Sequence, residues 1–182
     1  STQGADSPVY EHLYERDCVV ARHRWMALCA GLNDEPYIVS SPGVLVVPLD
    51  ADGNVILINE PARTDGQRVL FLPSGALEGK EPADAANQEL REEIGYEAAR
   101  LDRLGLLHPL ARHAIWENTV MLARDLSPNR QEGDEGYEIE VVRVPFDDFE
   151  TLIATGRLTD AGVIAALYLA RSFVQREAAG ST

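Results

Sequence analysis

The chain has 182 residues, with 30 acidic and 16 basic side chains and a formal net charge of −14. This length suits one domain with a substantial core, and the negative charge disfavours nucleic-acid polymers and anionic membranes as partners. A small phosphorylated substrate is not excluded, because bound cations can reverse the local field. The sequence has no apolar run of membrane length and no targeting signal, so we expect a cytoplasmic protein.

Residues 1–36 are expected to form a helical extension that precedes the main domain. Ser7-Pro8 is typical of a helix start, and Gly31 could end the helix. Apolar residues follow a helical period between these two points, at Tyr10, Tyr14, Cys18, Ala21, Trp25 and Leu28. A strand over residues 18–22 is the alternative. On a helix, the two cysteines would share a face but lie too far apart to form a disulfide.

Residues 37–176 are expected to form the main domain, and residues 177–182 a disordered tail. Apolar strands are predicted on both sides of the turn Asp50–Gly53, which is typical of a hairpin. The predicted strands are residues 37–40, 43–48, 54–59, 68–72, 101–107, 117–123 and 137–144, and the predicted helices are residues 82–94, 146–155 and 159–176. This mixture predicts an α/β fold in which a mixed sheet lies between helical layers.

The most informative segment is residues 75–95, which ends in an acidic helix. Pro82 suits the first turn of this helix, and the final glycine suits its end. Glu89, Glu92 and Glu93 stand at i, i+3 and i+4, so three carboxylates crowd one face. Because like charges at this spacing destabilise a helix, the pattern indicates a site for a hard divalent cation such as Mg²⁺ or Mn²⁺. A solvated acidic face is the alternative.

This segment resembles the Nudix box, G-x5-E-x7-R-E-U-x-E-E-x-G-U, in which U is a bulky aliphatic residue. Residues 89–96 match the last eight positions, with Tyr96 in place of the final aliphatic residue. Residues 72–75 are similar to the turn that opens the box in the branch that cleaves ADP-ribose and related nucleoside diphosphate derivatives. The chain departs from the pattern twice. The interval after Glu81 is one residue short, and Gln88 replaces an arginine that helps to hold the glutamates, without its positive charge.

The resemblance implies a Nudix α/β/α sandwich and Mg²⁺-dependent hydrolysis of a pyrophosphate bond. ADP-ribose is the favoured substrate, which would give AMP and ribose 5-phosphate. The metal ligands that it implies are the carbonyl of Ser74 and the side chains of Glu89, Glu92 and Glu93. For the general base, the resemblance favours Glu135 first and Glu138 second, with Glu92 as a further catalytic candidate. A solvated acidic loop is the alternative at residues 131–136.

Contacts with the substrate are expected from a further set of side chains. This set comprises Arg63, Arg68, Arg112, Trp116 and Glu117. Of these, Trp116 could stack on a base. Ordinary surface or strand-edge positions are the alternative for each. Enzymes of this branch are commonly dimers, so we expect a homodimer with the N-terminal segment as a candidate contact. The departures at Gln88 and in the box spacing leave one other function open, a nucleotide-binding or regulatory module with weak or no catalysis.

Overall fold

The computed structural model describes residues 18–133 and 136–180. Its strands are β1 (Val19–Arg22), β2 (Met26–Ala30), β3 (Pro36–Ser40), β4 (Gly43–Pro48), β5 (Asn54–Pro61), β6 (Arg68–Phe71), β7 (Ser74–Ala76), β8 (Tyr96–Leu107), β9 (Ala114–Ile115), β10 (Asn118–Pro128) and β11 (Glu140–Pro145). Its α-helices are α1 (Pro82–Glu89), α2 (Phe149–Ala154) and α3 (Ala161–Gly180). A π-helical turn, Leu90–Ile94, continues α1, and short 3₁₀ turns occupy Leu32–Asp34 and Phe146–Asp148.

In the described residues the strands form three sheets. One has the order β1-β2-β3-β9, and both this sheet and the central sheet contain parallel and antiparallel pairs. The central sheet has the order β7-β4-β10-β8, and in it β4 pairs parallel with β10 and antiparallel with β7. The third sheet has the order β11-β5-β6 and is antiparallel, and a bridge between Leu49 and Val55 joins β4 to β5. The predicted mixed sheet is confirmed. The turn after β4 is present, but β4 and β5 belong to different sheets and do not pair as a regular hairpin.

Alternating residues of β4 and β5 explain the layers. Val46 and Ile56 pack with Ala86 and Leu90 of the box helix. Val47 and Leu57 face the other way, into a cluster that contains Phe149 of α2 and four residues of α3: Val163, Ala166, Leu167 and Ala170. Every residue of β4 is buried, as expected for a strand that is covered on both faces. The sheet layer therefore lies between α1 on one side and α2 with α3 on the other, which confirms the predicted α/β/α sandwich.

The helix predicted up to Gly31 is wrong for the described residues, and the alternative strand is correct. β1 pairs with β2, and β2 pairs with β3. Ala27 and Cys29 are buried, whereas Met26 and Leu28 are exposed, which is the period of two that a strand shows. The apolar positions of this segment fit a helical spacing as well as a strand spacing. Because β2 pairs with β3, the segment is a strand. The predicted helix start at Ser7-Pro8 lies outside the described residues.

The change from helix to strand also changes where the two cysteines lie. Cys29 is fully buried on β2 and pairs with Val19, the neighbour of Cys18. Cys18 Sγ is 3.6 Å from the Tyr37 hydroxyl oxygen, on the far side of β2. Burial raises the pKa of the Cys29 thiol. The two thiols therefore lie close together across neighbouring strands, not three helical turns apart.

The C-terminal helix is longer than predicted. α3 continues to Gly180, so the disordered tail that was predicted from residue 177 is wrong for residues 177–180. Arg124 of β10 donates to both carboxylate oxygens of Glu177, at 2.6 and 3.2 Å, and these bonds attach the last turns of α3 to the sheet. Within 18–133 and 136–180, no helix combines the length and apolar character that crossing a bilayer requires.

Candidate active site

A cleft of about 760 Å³ opens where the box helix meets β4 and β7. Six of the predicted site residues line it: Arg63, Ser74, Glu89, Glu92, Glu93 and Trp116. Several lining residues were not predicted, among them Arg24, Trp25, Glu60, Glu132 and Tyr137. The acidic helix therefore faces a cleft that can accept a ligand, and it is not a freely solvated surface.

Gly75 explains how the box-opening turn and the box helix come together. It lies on β7 and pairs with Val44 of β4. A Cβ atom added at Gly75 would overlap the carboxyl group of Glu89. The neighbouring residue provides a second contact, because the Ser74 backbone N–H donates to Glu93 Oε2 at 3.1 Å. Glu93 is only 5% exposed, so β7 and the box helix hold its carboxylate between them.

The last turn of the box helix is wider than predicted. A regular α-helix was expected to continue to residue 94, but α1 ends at Glu89 and Leu90–Ile94 is π-helical. Gly95 has φ 78° and donates its N–H to the carbonyl of Leu90, five residues earlier. The fully buried Leu90 and nearly buried Ile94 fix this turn against the core. Such π-helical turns are frequent at functional sites, and this one includes Glu92 and Glu93.

Glu92 is bonded to the residue that replaces the expected arginine. Gln88 Nε2 donates to Glu92 Oε1 at 2.9 Å, one helical turn along. Lys80 Nζ donates to Gln88 Oε1 at 2.7 Å. The Gln88 side-chain amide thus links the Lys80 ammonium group to the Glu92 carboxylate at the edge of the cleft.

These side chains fit a hard divalent cation in their chemistry. Three carboxylates and the backbone carbonyl of Ser74 are the oxygen donors that Mg²⁺ and Mn²⁺ prefer, and the missing Cβ of Gly75 leaves the space that the Glu89 carboxyl group occupies. In the part of the chain that the structure describes, no three His, Cys, Asp or Glu side chains already converge as a metal cluster. Glu93 Oε2 accepts from the Ser74 N–H, and Glu92 Oε1 accepts from Gln88 Nε2.

The loop before β11 forms one wall of the cleft through Glu132 and Tyr137. The first-choice base, Glu135, lies outside the described residues, and Glu138 is not among the lining residues. Arg68 explains how this wall is held. Its Nη1 donates to two backbone carbonyls, that of Asn59 at 3.1 Å and that of Glu138 at 2.9 Å. Arg68 was predicted to contact the substrate, but it does not line the cleft and is bonded to the backbone at residues 59 and 138.

The remaining predicted contacts separate into two groups. Trp116 and Arg63 line the cleft, whereas Arg112 and Glu117 do not. Arg112 is exposed in the turn before β9. Glu117 has a half-exposed side chain 3.9 Å from His108, and its backbone carbonyl accepts a hydrogen bond from Gly43 N–H.

Sequence reasoning missed Trp25, which is one of the residues that line the cleft. It sits in the turn between β1 and β2, and the guanidinium carbon of Arg24 is 4.4 Å from its ring centroid. The helical interpretation of this segment assigned Trp25 to a packed apolar face. The signal that could have found it is composition, because the chain has only two tryptophans and both line the same cleft.

Known proteins share this arrangement. The model of the NUDIX domain matches residues 39–167. The chain is 31% identical over 133 residues to the ADP compounds hydrolase NudE of Escherichia coli (strain K12), covering 72% of this chain and 71% of that protein. It is 31% identical over 128 residues to an ADP-ribose pyrophosphatase of Bacillus subtilis (strain 168), with 68% and 69% covered. It is 29% identical over 129 residues to a GDP-mannose pyrophosphatase of Yersinia pestis (strain Pestoides F), with 65% of each covered.

A solved structure agrees with these relatives. The crystal structure of an ADP compounds hydrolase superposes with a TM-score of 0.73 at 27% identity, covering 87% of this chain and 91% of that one. The domain match spans β4 to β7, the box helix and most of the sandwich, and it includes every lining residue of the cleft named above except Arg24 and Trp25. From the box sequence, the acidic cleft, the sandwich and these matches together, the chain belongs to the Nudix family and is a Nudix hydrolase.

Proposed function

We propose that this enzyme hydrolyses the pyrophosphate bond of a nucleoside diphosphate derivative, with ADP-ribose favoured and AMP and ribose 5-phosphate as products. The observation that supports this most is the paired anchoring of Glu89 against Gly75 and of Glu93 on Ser74 N–H, which fixes carboxylates on one wall of a cleft. Two relatives named for ADP compounds and for ADP-ribose support the substrate class.

Nudix hydrolases generally need a divalent metal ion, and we propose Mg²⁺ for this one, with Mn²⁺ as a substitute. Glu89, Glu92, Glu93 and the Ser74 carbonyl would hold it. When bound, the ion neutralises phosphate charge and lowers the pKa of a coordinated water. The chain's own contribution is to fix the carboxylates on a rigid helix and to face them toward the cleft, where the phosphates must lie.

We propose Glu135 as the general base that takes the proton from the attacking water, with Glu138 as second choice. Three observations support the location. The flanking residues Glu132 and Tyr137 line the cleft, Arg68 ties the backbone of residue 138 to β5, and Tyr137 OH donates to Glu60 Oε2 at 2.9 Å. If Glu135→Gln and Glu138→Gln both kept the wild-type kcat and its pH profile, the base would lie elsewhere.

The proposed function is tested with a panel of nucleotide derivatives and identification of the products by mass. The panel contains ADP-ribose, NADH, diadenosine polyphosphates, GDP-mannose and a nucleoside triphosphate, each with Mg²⁺ and with Mn²⁺. We expect ADP-ribose to give the highest kcat/KM, with AMP and ribose 5-phosphate as the products. A higher kcat/KM for GDP-mannose would reassign the substrate. Absence of turnover on every compound, together with measurable binding, would show that the chain is a binding module and not an enzyme.

We propose that the two tryptophans of the cleft hold the nucleobase, since both are half-buried and line the same cavity. Base stacking on an aromatic ring contributes about 1–3 kcal/mol, so Trp25→Ala and Trp116→Ala should each raise KM for ADP-ribose by about tenfold with little change in kcat. Phenylalanine at either position should restore most of the loss, because it keeps a stacking face. An unchanged KM in both alanine variants would show that the nucleobase does not bind between or beside these tryptophans.

A homodimer remains a proposal, and the outer face of the β1-β2-β3-β9 sheet supports it. Val20 is 66% exposed, and Met26 and Leu28 are exposed on the same side of β2. Exposed apolar patches of this kind mark association surfaces. Sedimentation velocity should show a dimer for the wild type and a monomer for Leu28→Glu. A wild-type monomer at micromolar concentration would contradict the proposal.

A further inference from the structure

Lys80 is the only lysine in the chain, and it lies next to the acidic cleft. A tight turn places it there: Glu78 and Gly79 have φ values of 49° and 77°, and Lys80 N–H donates to the Leu77 carbonyl at 2.9 Å. Positive φ at both central residues is the signature of a type I′ turn. Lys80 precedes α1, and its ammonium group reaches Gln88 in the last turn of that helix.

The hydrogen bonds around Gln88 define the orientation of its amide. Its oxygen accepts from Lys80 Nζ at 2.7 Å, and its nitrogen donates to Glu92 Oε1 at 2.9 Å. The reversed amide would put an oxygen against a carboxylate and an NH₂ group against an ammonium group, and both contacts would be repulsive. The ammonium group also polarises the amide, which makes its N–H a stronger donor to Glu92.

We infer that Lys80 and Gln88 act together as a two-residue positioning unit for the Glu92 carboxylate. The lysine supplies the positive charge, and the glutamine amide bonds to both the lysine and the carboxylate. The inference rests on the proposed function in one respect, that Glu92 is a metal ligand. It explains both departures from the box pattern. The interval between Glu81 and Glu89 is one residue short, which shortens the path along the chain from the turn to residue 88. The turn's lysine then reaches the glutamine that replaces the expected arginine.

The competing explanation is an ordinary surface ion pair. Lys80 Nζ is 3.4 Å from Glu78 Oε2, and the two side chains are 40% and 47% exposed. Exposed pairs of this kind have little effect on stability. If this pair were the only role of Lys80, removing the lysine would leave Glu92 and the metal site unchanged.

The inference is tested with Lys80→Met, Gln88→Arg and the double variant, with Arg157→Met as the control. Arg157 is exposed after α2, so this control makes the same charge change far from the box helix. Mn²⁺ affinity is measured by titration calorimetry without substrate. Loss of an outer partner of a metal ligand costs about tenfold or more in affinity, so we expect that loss for Lys80→Met and none for Arg157→Met.

The double variant gives the decisive comparison. Arginine at position 88 can place a charged donor directly on Glu92, so Lys80→Met with Gln88→Arg should recover wild-type Mn²⁺ affinity. Lys80→Arg should also keep it, since the charge remains. If Lys80→Met matched the Arg157→Met control, or if Gln88→Arg failed to restore an affinity that Lys80→Met had lost, the positioning unit would be refuted.

A second measurement does not depend on metal or turnover. Lysine labelled with ¹³C at Cε gives a single side-chain resonance in this chain, which needs no assignment. In metal-free protein, Gln88→Ala should shift this resonance strongly and Glu78→Gln should shift it weakly. The opposite order would make Glu78 the true partner and overturn the inference. Both readouts work even if the wild type hydrolyses none of the panel compounds, an outcome that would contradict only the proposed function.

Discussion

Glu93→Gln should reduce turnover by about 100-fold or more and leave the fold intact. The substitution removes a charge and little else, because the glutamine side-chain oxygen can still accept the Ser74 N–H that Glu93 Oε2 accepts at 3.1 Å. Losing metal-based charge stabilisation costs several kcal/mol of activation free energy, and each 1.36 kcal/mol is a factor of about ten in rate. Steady-state kinetics with saturating Mg²⁺ measures the effect, and thermal unfolding followed by circular dichroism checks the fold.

Asp84→Asn is the matched control for this substitution. Asp84 lies on the same helix, is exposed and does not line the cleft. It loses the same charge, so it should keep the wild-type rate. A Glu93→Gln enzyme with wild-type kcat/KM would contradict the assignment of this carboxylate to the metal site. An equal loss in Asp84→Asn would instead point to the net charge of the helix as the cause.

Gly75→Ala should impair both stability and activity, for a steric reason. The new Cβ would overlap the Glu89 carboxyl group, so either the carboxylate or β7 must move. Overpacking of this kind typically lowers the free energy of unfolding by about 1–3 kcal/mol, and the displaced carboxylate should reduce kcat as well. Chemical denaturation and steady-state kinetics on one preparation measure the two effects separately.

Two further variants test whether the effect of Gly75→Ala comes from the overlap with the Glu89 side chain. Adding Glu89→Asp to Gly75→Ala shortens the side chain by one methylene, so stability should recover while activity stays low. Gly105→Ala serves as the control, because its nearest neighbour to an added Cβ is Leu169 at 3.8 Å, an ordinary contact. Wild-type stability in Gly75→Ala would mean that Glu89 relaxes freely and that the glycine is not required for space.

The parts of the fold that sequence predicts well are those in which one strong signal is unopposed. The apolar run of β4 and the glycine turn after it favour a buried strand, a turn and a second strand, and the structure has all three. Residues 18–30 show the opposite case, because their apolar residues fit both a helical and a strand period. The contact that decided between them, β2 with β3, lies beyond a local pattern. The hydrogen bonds of Arg68 could not be predicted for the same reason, because its partners are backbone carbonyls 9 and 70 residues away.

The site shows a similar division between local and distant information. Glu89, Glu92 and Glu93 could be found because their spacing within one segment is itself the signal. Trp25 and Glu60 reach the cleft from other elements, so no local pattern marks them. The hydrogen bond from Lys80 to Gln88 was also hidden, because it depends on the backbone angles of the two residues before the lysine. Those angles become visible only in three dimensions.

The π-helical turn has a consequence for how insertions and deletions can be accommodated in this segment. Leu90–Ile94 joins two fixed points, the close approach of Glu89 to Gly75 and the left-handed Gly95 that leads into β8. Deleting one residue there would narrow the π-helical turn toward an α-helical one and would change the direction in which Glu92 and Glu93 point. A length change before Pro82 meets only an exposed turn. When this chain is aligned with a relative, a gap in the box therefore belongs at the start of the helix and never inside its last turn.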